Sequence, residues 1–597
     1  MEYQAPVKDM SFVLRHVADL DGLSQLPGLA NADPETATAV LDEAAKFSAG
    51  VLSPLNRNGD KQGARIENGT VRTADGFADA YKQFVAAGWN GMPFAEEIGG
   101  GGMPWATTMA VQEMIQAANL SFSLCPLLTQ GAIDAIIAHG TPEQKALYLP
   151  KMVSGQWSGS MNLTEPQAGS DVGALKSKAV PNGDGTYRIS GMKIFITYGE
   201  HDMAENIVHL VLARLPDAPA GTKGISLFIV PKFLPDADGN PGKRNDLRVV
   251  SLEHKLGIHA SPTCVMSYGD NGECIGWLLG GENQGMRCMF TMMNNARLSV
   301  GCQGLAIAER AYQQALDYAE NRKQGRLPGM NAEQHVSIIE HPDVRRNLLL
   351  MKSQTEALRA LIYLNGAAID RAHHETDKAA AGDWKALVEL LTPLSKAWST
   401  DVGVEVASIG VQIHGGMGFI EETGAAQHYR DARILPIYEG TNGIQAIDLV
   451  GRKLGLQGGE TVQRLFAAID GILQKLDAAG PELAAMRAEL GKAVAALRGT
   501  TEWIVGALGK DANVALAGAT PFHRAFSETV GGWLLARLAL AAKAEIAAGS
   551  TDPYFQSKLL SARFYAEQVL SAVPGRCASA RSSAADIQAA NADLLRA

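Results

Sequence analysis

Four short segments rich in β-branched and aromatic residues, set between two helical stretches, constrain the fold of this sequence more than any other feature. They read YRISGMKIFITYG, NIVHLVLARL, GISLFIVPK and PTCVMSYGD, and Gly, Asn and Asp punctuate them. Successive strands without helices between them predict an antiparallel sheet or small barrel. The order is not an alternating βαβ pattern, and neither GxGxxG after a strand nor GxxxxGK[ST] occurs. A Rossmann fold is therefore disfavoured.

Helical patterns flank the strands on both sides. Asp33-Pro34 and Thr141-Pro142 are typical of a capping residue followed by the first helical position. GLAIAERAYQQALDYAENRK places apolar residues on one face, as in a bundle helix. The sequence predicts a mainly helical α+β protein: an N-terminal helical domain (1–155), a middle antiparallel β domain (156–285), a helical bundle domain (286–455) and an appended C-terminal helical domain (456–597) of about four helices. Its breaks are expected at DAAGP, GATP and GSTDP.

Composition sets limits on the class of protein. The chain has 597 residues, a net charge of −10 and no basic stripe, which disfavours a nucleic-acid partner. None of the six cysteines forms a CxxC pair, a pattern typical of a cytosolic protein. The N-terminal segment lacks the features of a signal or transit peptide, and no apolar run approaches the roughly 18 residues of a membrane span. We therefore expect a soluble cytoplasmic protein without stable membrane insertion. The histidines are not spaced like metal ligands, so no metal site is predicted.

Five stretches carry residues suited to ligand binding or catalysis, and each also has a structural explanation. MNLTEPQAGSDVGAL is either a ligand-binding loop of small and hydroxyl residues or a plain interdomain loop. On GMKIFITYGE, strand alternation puts Phe195 and Thr197 on one face, where they either meet a flat cofactor or belong to the core. In ENRKQGR, Arg322 either binds phosphate or complements a helix dipole. GVQIHGGMGF allows close backbone approach or ends a helix. In PIYEGTNGIQ, Glu439 is either a catalytic base or a solvated turn residue.

These stretches, together and in this order, resemble the acyl-CoA dehydrogenase flavoprotein family. HKLGIHASPT and ARLSVGCQGLAIAERAYQQALDYAENR add to the resemblance, which covers roughly residues 35 to 455. The opening YQAPVKDMSFVL, ASPTC, HPDVRR and the C-terminal extension look like the long subgroup that includes 3-(methylthio)propanoyl-CoA dehydrogenase. The resemblance implies α,β-dehydrogenation of an acyl-CoA thioester with FAD as cofactor, an electron-transferring flavoprotein as acceptor, and a homodimer that shares its FAD sites across the interface.

The resemblance also assigns roles to individual residues. Glu439 would be the catalytic base, with a pKa raised by burial beside Tyr438 and Ile437, and its backbone N–H would stabilise the developing enolate. The FAD contacts would be Met161, Leu163, Thr164, Gly169, Ser170, Phe195, Thr197, Arg322, Gln412, Gly415, Gly416 and Thr441, with Arg322 and the two glycines reaching the FAD of a neighbouring subunit. The substrate contacts would be Ser170, Asn294, Arg297, Tyr438 and Gly440.

Some positions depart from the family pattern. Phe195 stands where many relatives have Trp, and His259 where they often have Arg. Gly325 stands where many relatives have an aromatic residue, and Gly443 stands where Gln is common. These two differences leave the contacts to the diphosphate and adenine of FAD open. For the substrate, the subgroup features favour 3-(methylthio)propanoyl-CoA or another short acyl-CoA, with a medium- or long-chain fatty acyl-CoA as the alternative. An acyl-CoA oxidase and a non-catalytic scaffold on the same fold are the other hypotheses.

Overall fold

The computed structural model describes residues 3–331, 334–582 and 584–597 and has the α-β-α-α order that the sequence predicts. The first helical block contains α1 (Val7–Val13), α2 (Leu20–Leu23), α3 (Pro34–Phe47), α4 (Ser53–Gln62), the hairpin β1 (Arg65–Glu67) and β2 (Thr70–Arg72), α5 (Phe77–Ala86), α6 (Trp105–Ala118), α7 (Leu120–His139) and α8 (Pro142–Val153). Both predicted helix starts are confirmed. The Asp33 carboxylate accepts hydrogen bonds from the backbone of α3, and Thr141 and Gln144 form a capping box on α8.

The middle block is an eight-stranded sheet. Its strands are β3 (Trp157–Asn162), β4 (Lys178–Pro181), β5 (Tyr187–Thr197), β6 (Asn206–Ala213), β7 (Ser226–Pro231), β10 (Leu247–Leu252), β11 (Thr263–Tyr268) and β12 (Ile275–Leu279), while β8 (Phe233–Pro235) and β9 (Pro241–Arg244) form a separate hairpin. The order is β10-β11-β5-β12-β7-β6-β3, with β4 also paired to β5. The expectation of a wholly antiparallel sheet was wrong in one place: β3 pairs with β6 in parallel. No hairpin joins these two strands, so no tight turn dictates their relative direction.

Long helices form the third block. They are α9 (Gly285–Asn321), α10 (Pro342–His374) and α11 (Lys378–His414), followed by α12 (Ala425–Ala432) and α13 (Asn442–Asp448). Two glycines let α9 and α11 approach closely. A Cβ on Gly301 would lie 2.5 Å from the carbonyl oxygen of Ser395, and one on Gly304 would lie 2.3 Å from that of Ser399. A side chain at either position would push the two helices apart.

The appended block is helical throughout. Its helices are α14 (Glu460–Asp477), α15 (Ala484–Leu508), α16 (Ala512–Ala517), α17 (Ala519–Ala547), α18 (Pro553–Gln568), α19 (Val573–Ala580), α20 (Ala584–Ala589) and α21 (Ala592–Arg596). The breaks predicted at DAAGP and GSTDP fall between helices, and at GATP the break lies at Gly518, since Pro521 is already in the first turn of α17. The four longest helices match the predicted number, and α16, α19, α20 and α21 are short additions.

One apolar core joins the first, third and fourth blocks, and a buried charge network crosses it. Arg359 on α10 donates hydrogen bonds to Asp9 on α1 at 2.5 Å, to Glu113 on α6 at 2.6 Å and to Glu309 on α9 at 2.7 Å. Lys558 on α18 forms a second ion pair with Asp9. Because this core continues across the domain boundaries predicted at 155 and 455, it does not test those boundaries, and they stay predictions.

One described helix, α7, has the length and hydropathy of a membrane span, and 89% of its most apolar window is buried inside the protein. It packs between α9 and β3, as expected of a core helix. The six cysteines are all buried and unpaired.

Candidate active site

The turn Pro436–Asn442 holds Glu439 in an unusual backbone conformation. Glu439 has a φ of +57° and Gly440 a φ of +83°, so two successive residues are left-handed. A hydrogen bond of 3.0 Å from the backbone N–H of Asn442 to the carbonyl of Pro436 closes the turn. Such strain in a residue other than glycine is costly and concentrates at functional sites. Within residues 3–331, 334–582 and 584–597 the Glu439 amide has no hydrogen-bond acceptor, which leaves this N–H available to a ligand oxygen.

The surroundings of Glu439 favour a carboxyl group that gains and loses a proton near neutrality. Burial raises the pKa of Glu439 to about 7, although the positive charges of Arg297 and Lys396 act in the opposite direction. The Nε of Arg297 lies 3.4 Å from the carbonyl oxygen of Glu439. Ile437 was expected to help bury the carboxylate, but its side chain is 49% exposed. Glu439 itself is half-buried, with Arg297 on α9 and Lys396 on α11 close enough to act on its charge.

Tyr438 connects the turn Pro436–Asn442, which we call the catalytic turn because it carries the predicted base, to helix α9. Its hydroxyl donates a hydrogen bond to the Oε1 of the fully buried Gln303. Ser299 lies one helical turn before Gln303, and its carbonyl accepts a hydrogen bond of 3.3 Å from Gln116 on α6. The sequence analysis did not identify Gln303 or Gln116, because a glutamine in an amphipathic helix has no distinguishing pattern.

Lys396 on α11 supports the turn through Asn442, and the sequence analysis identified neither residue. Lys396 is fully buried, and its ammonium donates a hydrogen bond of 2.8 Å to Asn442 Oδ1. Burial lowers the pKa of Lys396 to about 7, with Glu439 and Asp401 acting in the opposite direction. A usable signal was present in the sequence, since Lys396 interrupts the otherwise uncharged run LLTPLSKAWST of a buried helix.

A second group of predicted residues meets at the end of β5, beside the loop that follows β3. The backbone N–H of Ile194 donates a 2.9 Å hydrogen bond to the carbonyl of Thr164, so the loop after β3 lies beside β5. A β-bulge places Ile194 and Phe195 opposite the single residue Val265, and Phe195 has a φ of +60°. The ring of Phe195 is 58% exposed, and Ile196 beside it is buried. Phe195 and Thr197 therefore share the open face, as predicted from alternation, although the bulge was not predicted.

A buried ion pair fixes that arrangement. The ammonium of Lys193 lies 2.8 Å from a carboxylate oxygen of Glu165 and 3.1 Å from the carbonyl of Leu163. Glu165 also accepts hydrogen bonds from the backbone of Lys176 and Ser177. These charged and polar donors hold the pKa of Glu165 at about 2 against the effect of burial. The pair locks the loop carrying Thr164 to the strand carrying Phe195.

The third predicted group lies at the far end of the helical bundle. Tyr318 on α9 stacks on His414 on α11 with ring centroids 4.4 Å apart, which brings the ends of these two helices together. The exposed residues Arg322, Gln412, Gly415 and Gly416 lie around this contact. Along α9, Arg322 is about 37 Å from Arg297 at the catalytic turn, at 1.5 Å per residue.

The remaining predicted residues divide between the groups. Met161 and Leu163 are partly buried against α7 and α9, Gly169 and Ser170 are exposed beyond the Thr164 loop, and Thr441 caps α13 directly after the catalytic turn. Asn294 is exposed on α9, whereas Arg297 is buried and contacts the backbone of Glu439, so their roles at the substrate stay predictions.

Family profiles match nearly the whole chain. Those described as acyl-CoA dehydrogenase N-terminal, middle and C-terminal domains match residues 34–156, 160–270 and 283–454, and one described as acetyl-CoA dehydrogenase C-terminal like matches 464–591. The chain belongs to the acyl-CoA dehydrogenase family. It is 50% identical to a 3-methylmercaptopropionyl-CoA dehydrogenase of Ruegeria pomeroyi, over 96% of both chains. It is 37% identical to a butyryl-CoA dehydrogenase of Syntrophomonas wolfei, over 96% of this chain and 95% of that one.

A solved relative has the same architecture, including the appended helices. An acyl-CoA dehydrogenase from Bacillus anthracis, complexed with FAD, aligns with a TM-score of 0.74 over 98% of this chain and 93% of that one, at 21% identity. Membership of the acyl-CoA dehydrogenase family implies a flavin cofactor and an acyl-CoA substrate, and the predicted flavoprotein oxidoreductase class is thereby confirmed.

The residues at the end of β5 and in the loop after β3 fit a flavin. An exposed aromatic ring, Phe195, stands beside two hydroxyls, Thr164 and Thr197, and in the described part of the chain neither hydroxyl has a hydrogen-bond partner. A flat heteroaromatic ring with polar edges needs such a combination of an apolar surface and free donors.

Proposed function

We propose that this protein is an FAD-dependent dehydrogenase of short acyl-CoA thioesters, with 3-(methylthio)propanoyl-CoA as the best substrate. The observation that carries the proposal is the catalytic turn. It presents a carboxyl group of raised pKa and, on the same residue, a free backbone N–H. One group suits the removal of a proton and the other suits the oxygen that gains charge as the proton leaves.

The chain's own residues account for the acid-base half of the reaction. The thioester carbonyl oxygen accepts a hydrogen bond from the amide of Glu439, which stabilises the developing enolate. The Glu439 carboxylate removes the α-proton and becomes a carboxylic acid, and its raised pKa makes it a better match for so weak a carbon acid. Bound FAD supplies the acceptor for the β-hydrogen and its electron pair. The product is the trans-2-enoyl-CoA.

Phe195, Thr164 and Thr197 are proposed to hold the flavin ring, with Met161 and Leu163 beside it. Gly169 and Ser170 would lie at the rim, and Thr441 would contact FAD next to the base. Gly440 and Tyr438 would face the substrate. These assignments rest on the free hydroxyls and the exposed ring described above.

Two observations support a short acyl group. Behind Tyr438 lies the fully buried amide of Gln303, so a long alkyl chain extending in this direction would have to displace a buried polar group. The similarity to an enzyme named for a thioether acyl-CoA supports the same conclusion.

The separation of two groups of residues supports a homodimer. Arg322, Gly415 and Gly416 lie at the opposite end of α9 from the catalytic turn, about 37 Å away along the helix. They therefore suit the FAD of a second copy, as the family resemblance implies. Phe419, in the same loop as the glycines, is 85% exposed and offers an apolar contact to that copy. We further propose a cytoplasmic location and an electron-transferring flavoprotein as the acceptor.

The test is an anaerobic titration followed by flavin absorbance. Purified protein should be yellow and should be bleached by 3-(methylthio)propanoyl-CoA and butanoyl-CoA at low concentration. Glu439→Gln should abolish bleaching, whereas Glu422→Gln, which changes an exposed glutamate, should leave it intact. If only long acyl-CoAs bleach the flavin, the substrate proposal is wrong. If the protein takes up no FAD, the enzyme proposal itself fails.

Two further measurements address the acceptor and the assembly. Stoichiometric peroxide formation in air would show an oxidase instead of a dehydrogenase. Light scattering should give twice the 63.3 kDa mass of the chain, and Phe419→Asp should reduce it to that of a single chain.

A further inference from the structure

Asn442 joins the catalytic turn to helix α11 through several hydrogen bonds. Its amide nitrogen donates to the carbonyl of Ala397 at 3.0 Å, to the hydroxyl of Thr400 at 3.0 Å and to the carboxylate of Asp401 at 2.7 Å. Its amide oxygen accepts from the ammonium of Lys396 at 2.8 Å. Since the Asn442 backbone also closes the turn, the conformation of Glu439 depends on these contacts.

Lys396 is the charged member of this group, and its position is unusual. A lysine is almost never fully buried without a partner of opposite charge in contact. In the described part of the chain its ammonium has one hydrogen-bond acceptor, the neutral amide of Asn442, and the carboxyl groups of Glu439 and Asp401 favour its protonated form. Asn442 closes the turn three residues after Glu439, so its bond to Lys396 brings a basic group close to the carboxylate. With a pKa lowered to about 7 by burial, Lys396 is protonated on the acidic side of neutrality, where Glu439 gains its charge.

The other cations around Lys396 and Glu439 are engaged with other partners. Arg297 also faces Glu439, but it contacts the backbone carbonyl and is partly compensated by Asp448, 4.0 Å away. On the side of α17, Arg524 is paired with Glu405.

Two titratable groups, His523 and Asp401, also interact with Lys396. His523 on α17 is a neutral imidazole near pH 7, because burial lowers its pKa to about 4. Asp401, on the same helix as Lys396, has a pKa raised by burial, and its contact is with the Asn442 amide.

We propose that Lys396 is a positioning residue for the dehydrogenation: through Asn442 it holds the turn in its left-handed form, and its charge sets the pH at which Glu439 becomes an active base. The inference rests on the proposed function of Glu439. The proton taken from the substrate stays on Glu439, and no bond to Lys396 forms or breaks.

The test is the pH profile of kcat/KM for three variants. Lys396→Met removes the charge but retains an apolar stem of similar length. Without the cation the pKa of Glu439 should rise, so the acidic limb of the profile should move about one pH unit to the alkaline side. At pH 7 this lowers the ionised fraction of Glu439 from about 50% to about 9%, roughly a fivefold loss of kcat/KM, which should be largely recovered at pH 9.

Asn442→Ala removes the hydrogen bonds between the catalytic turn and α11 but keeps the Lys396 side chain. It should lower kcat at every pH without moving the acidic limb of the kcat/KM profile. Lys453→Met is the matched control, because that lysine lies just beyond α13 and pairs with Glu389. Lys453→Met should change neither kcat nor the pH of the acidic limb.

Each outcome bears on one claim. A Lys396→Met enzyme that loses activity equally at all pH values, or keeps the wild-type limb, would overturn the inference. If this variant fails to bind flavin, the Asn442→Ala profile decides the positioning half, and Lys396→Gln, which is also neutral, decides the charge half. A wild-type protein that no acyl-CoA bleaches would instead contradict the proposed function.

Discussion

The burial of Glu439 makes a quantitative prediction about the pH dependence of the reaction. Only the ionised carboxylate removes a proton, so kcat/KM should rise with pH through the pKa of Glu439 and then level off. With a pKa of about 7, about 9% of the enzyme is active at pH 6 and about 91% at pH 8, a tenfold difference. An exposed glutamate with an ordinary pKa would already be about 97% ionised at pH 6.

The assay is the initial rate of reduction of an artificial electron acceptor, measured from pH 5 to pH 9 at low substrate concentration. Repeating the series with the α-deuterated substrate shows whether proton removal limits kcat/KM across the limb. Glu439→Asp withdraws the carboxylate by one methylene and should lower the rate about a hundredfold, since misplacement by about 1 Å has that effect. A limb below pH 5, or one that persists in Glu439→Gln, would show that the limb does not belong to Glu439.

Three further substitutions test the surrounding structure. Gly304→Ala places a Cβ 2.3 Å from the carbonyl oxygen of Ser399 and should destabilise the bundle by about 1–3 kcal/mol in thermal or urea unfolding, whereas Gly382→Ala, with nothing within 4 Å, should not. Gln303→Ala removes the buried amide behind Tyr438 and should raise the kcat/KM ratio of hexanoyl-CoA to butanoyl-CoA about tenfold; an unchanged ratio would remove Gln303 from the acyl wall. Lys193→Met leaves the buried carboxylate of Glu165 without its cation and should weaken FAD binding, measured as an increase in free flavin fluorescence on dilution. Retention of FAD equal to that of the wild type would contradict the role of the ion pair.

Local chemistry in the sequence was enough to predict many elements. The Asp33-Pro34 and Thr141-Pro142 helix starts depend on neighbouring residues only, so they were read correctly. The parallel pairing of β3 with β6 depends on contacts between distant segments and was missed. For the same reason, the bulge at Phe195 has no counterpart in the alternating pattern.

The candidate site shows the same division between local and distant information. Glu439 stands in a distinctive motif, and its left-handed conformation agrees with the following glycine. Gln303, Lys396 and Asn442 act through neighbours more than 40 residues away or on other helices. Their roles became visible only when the helices were placed together.

The charge network around Arg359 has a consequence for how the protein is made. Asp9 lies in the first helix, and its partner Lys558 lies near the end of the chain. At roughly 5–20 residues per second, a ribosome makes Lys558 about half a minute to two minutes after Asp9. During that interval the acidic side chains of the first helices lack one of their counter-charges. The first helix therefore completes its ion pairs only after α18 of the appended domain has been synthesised.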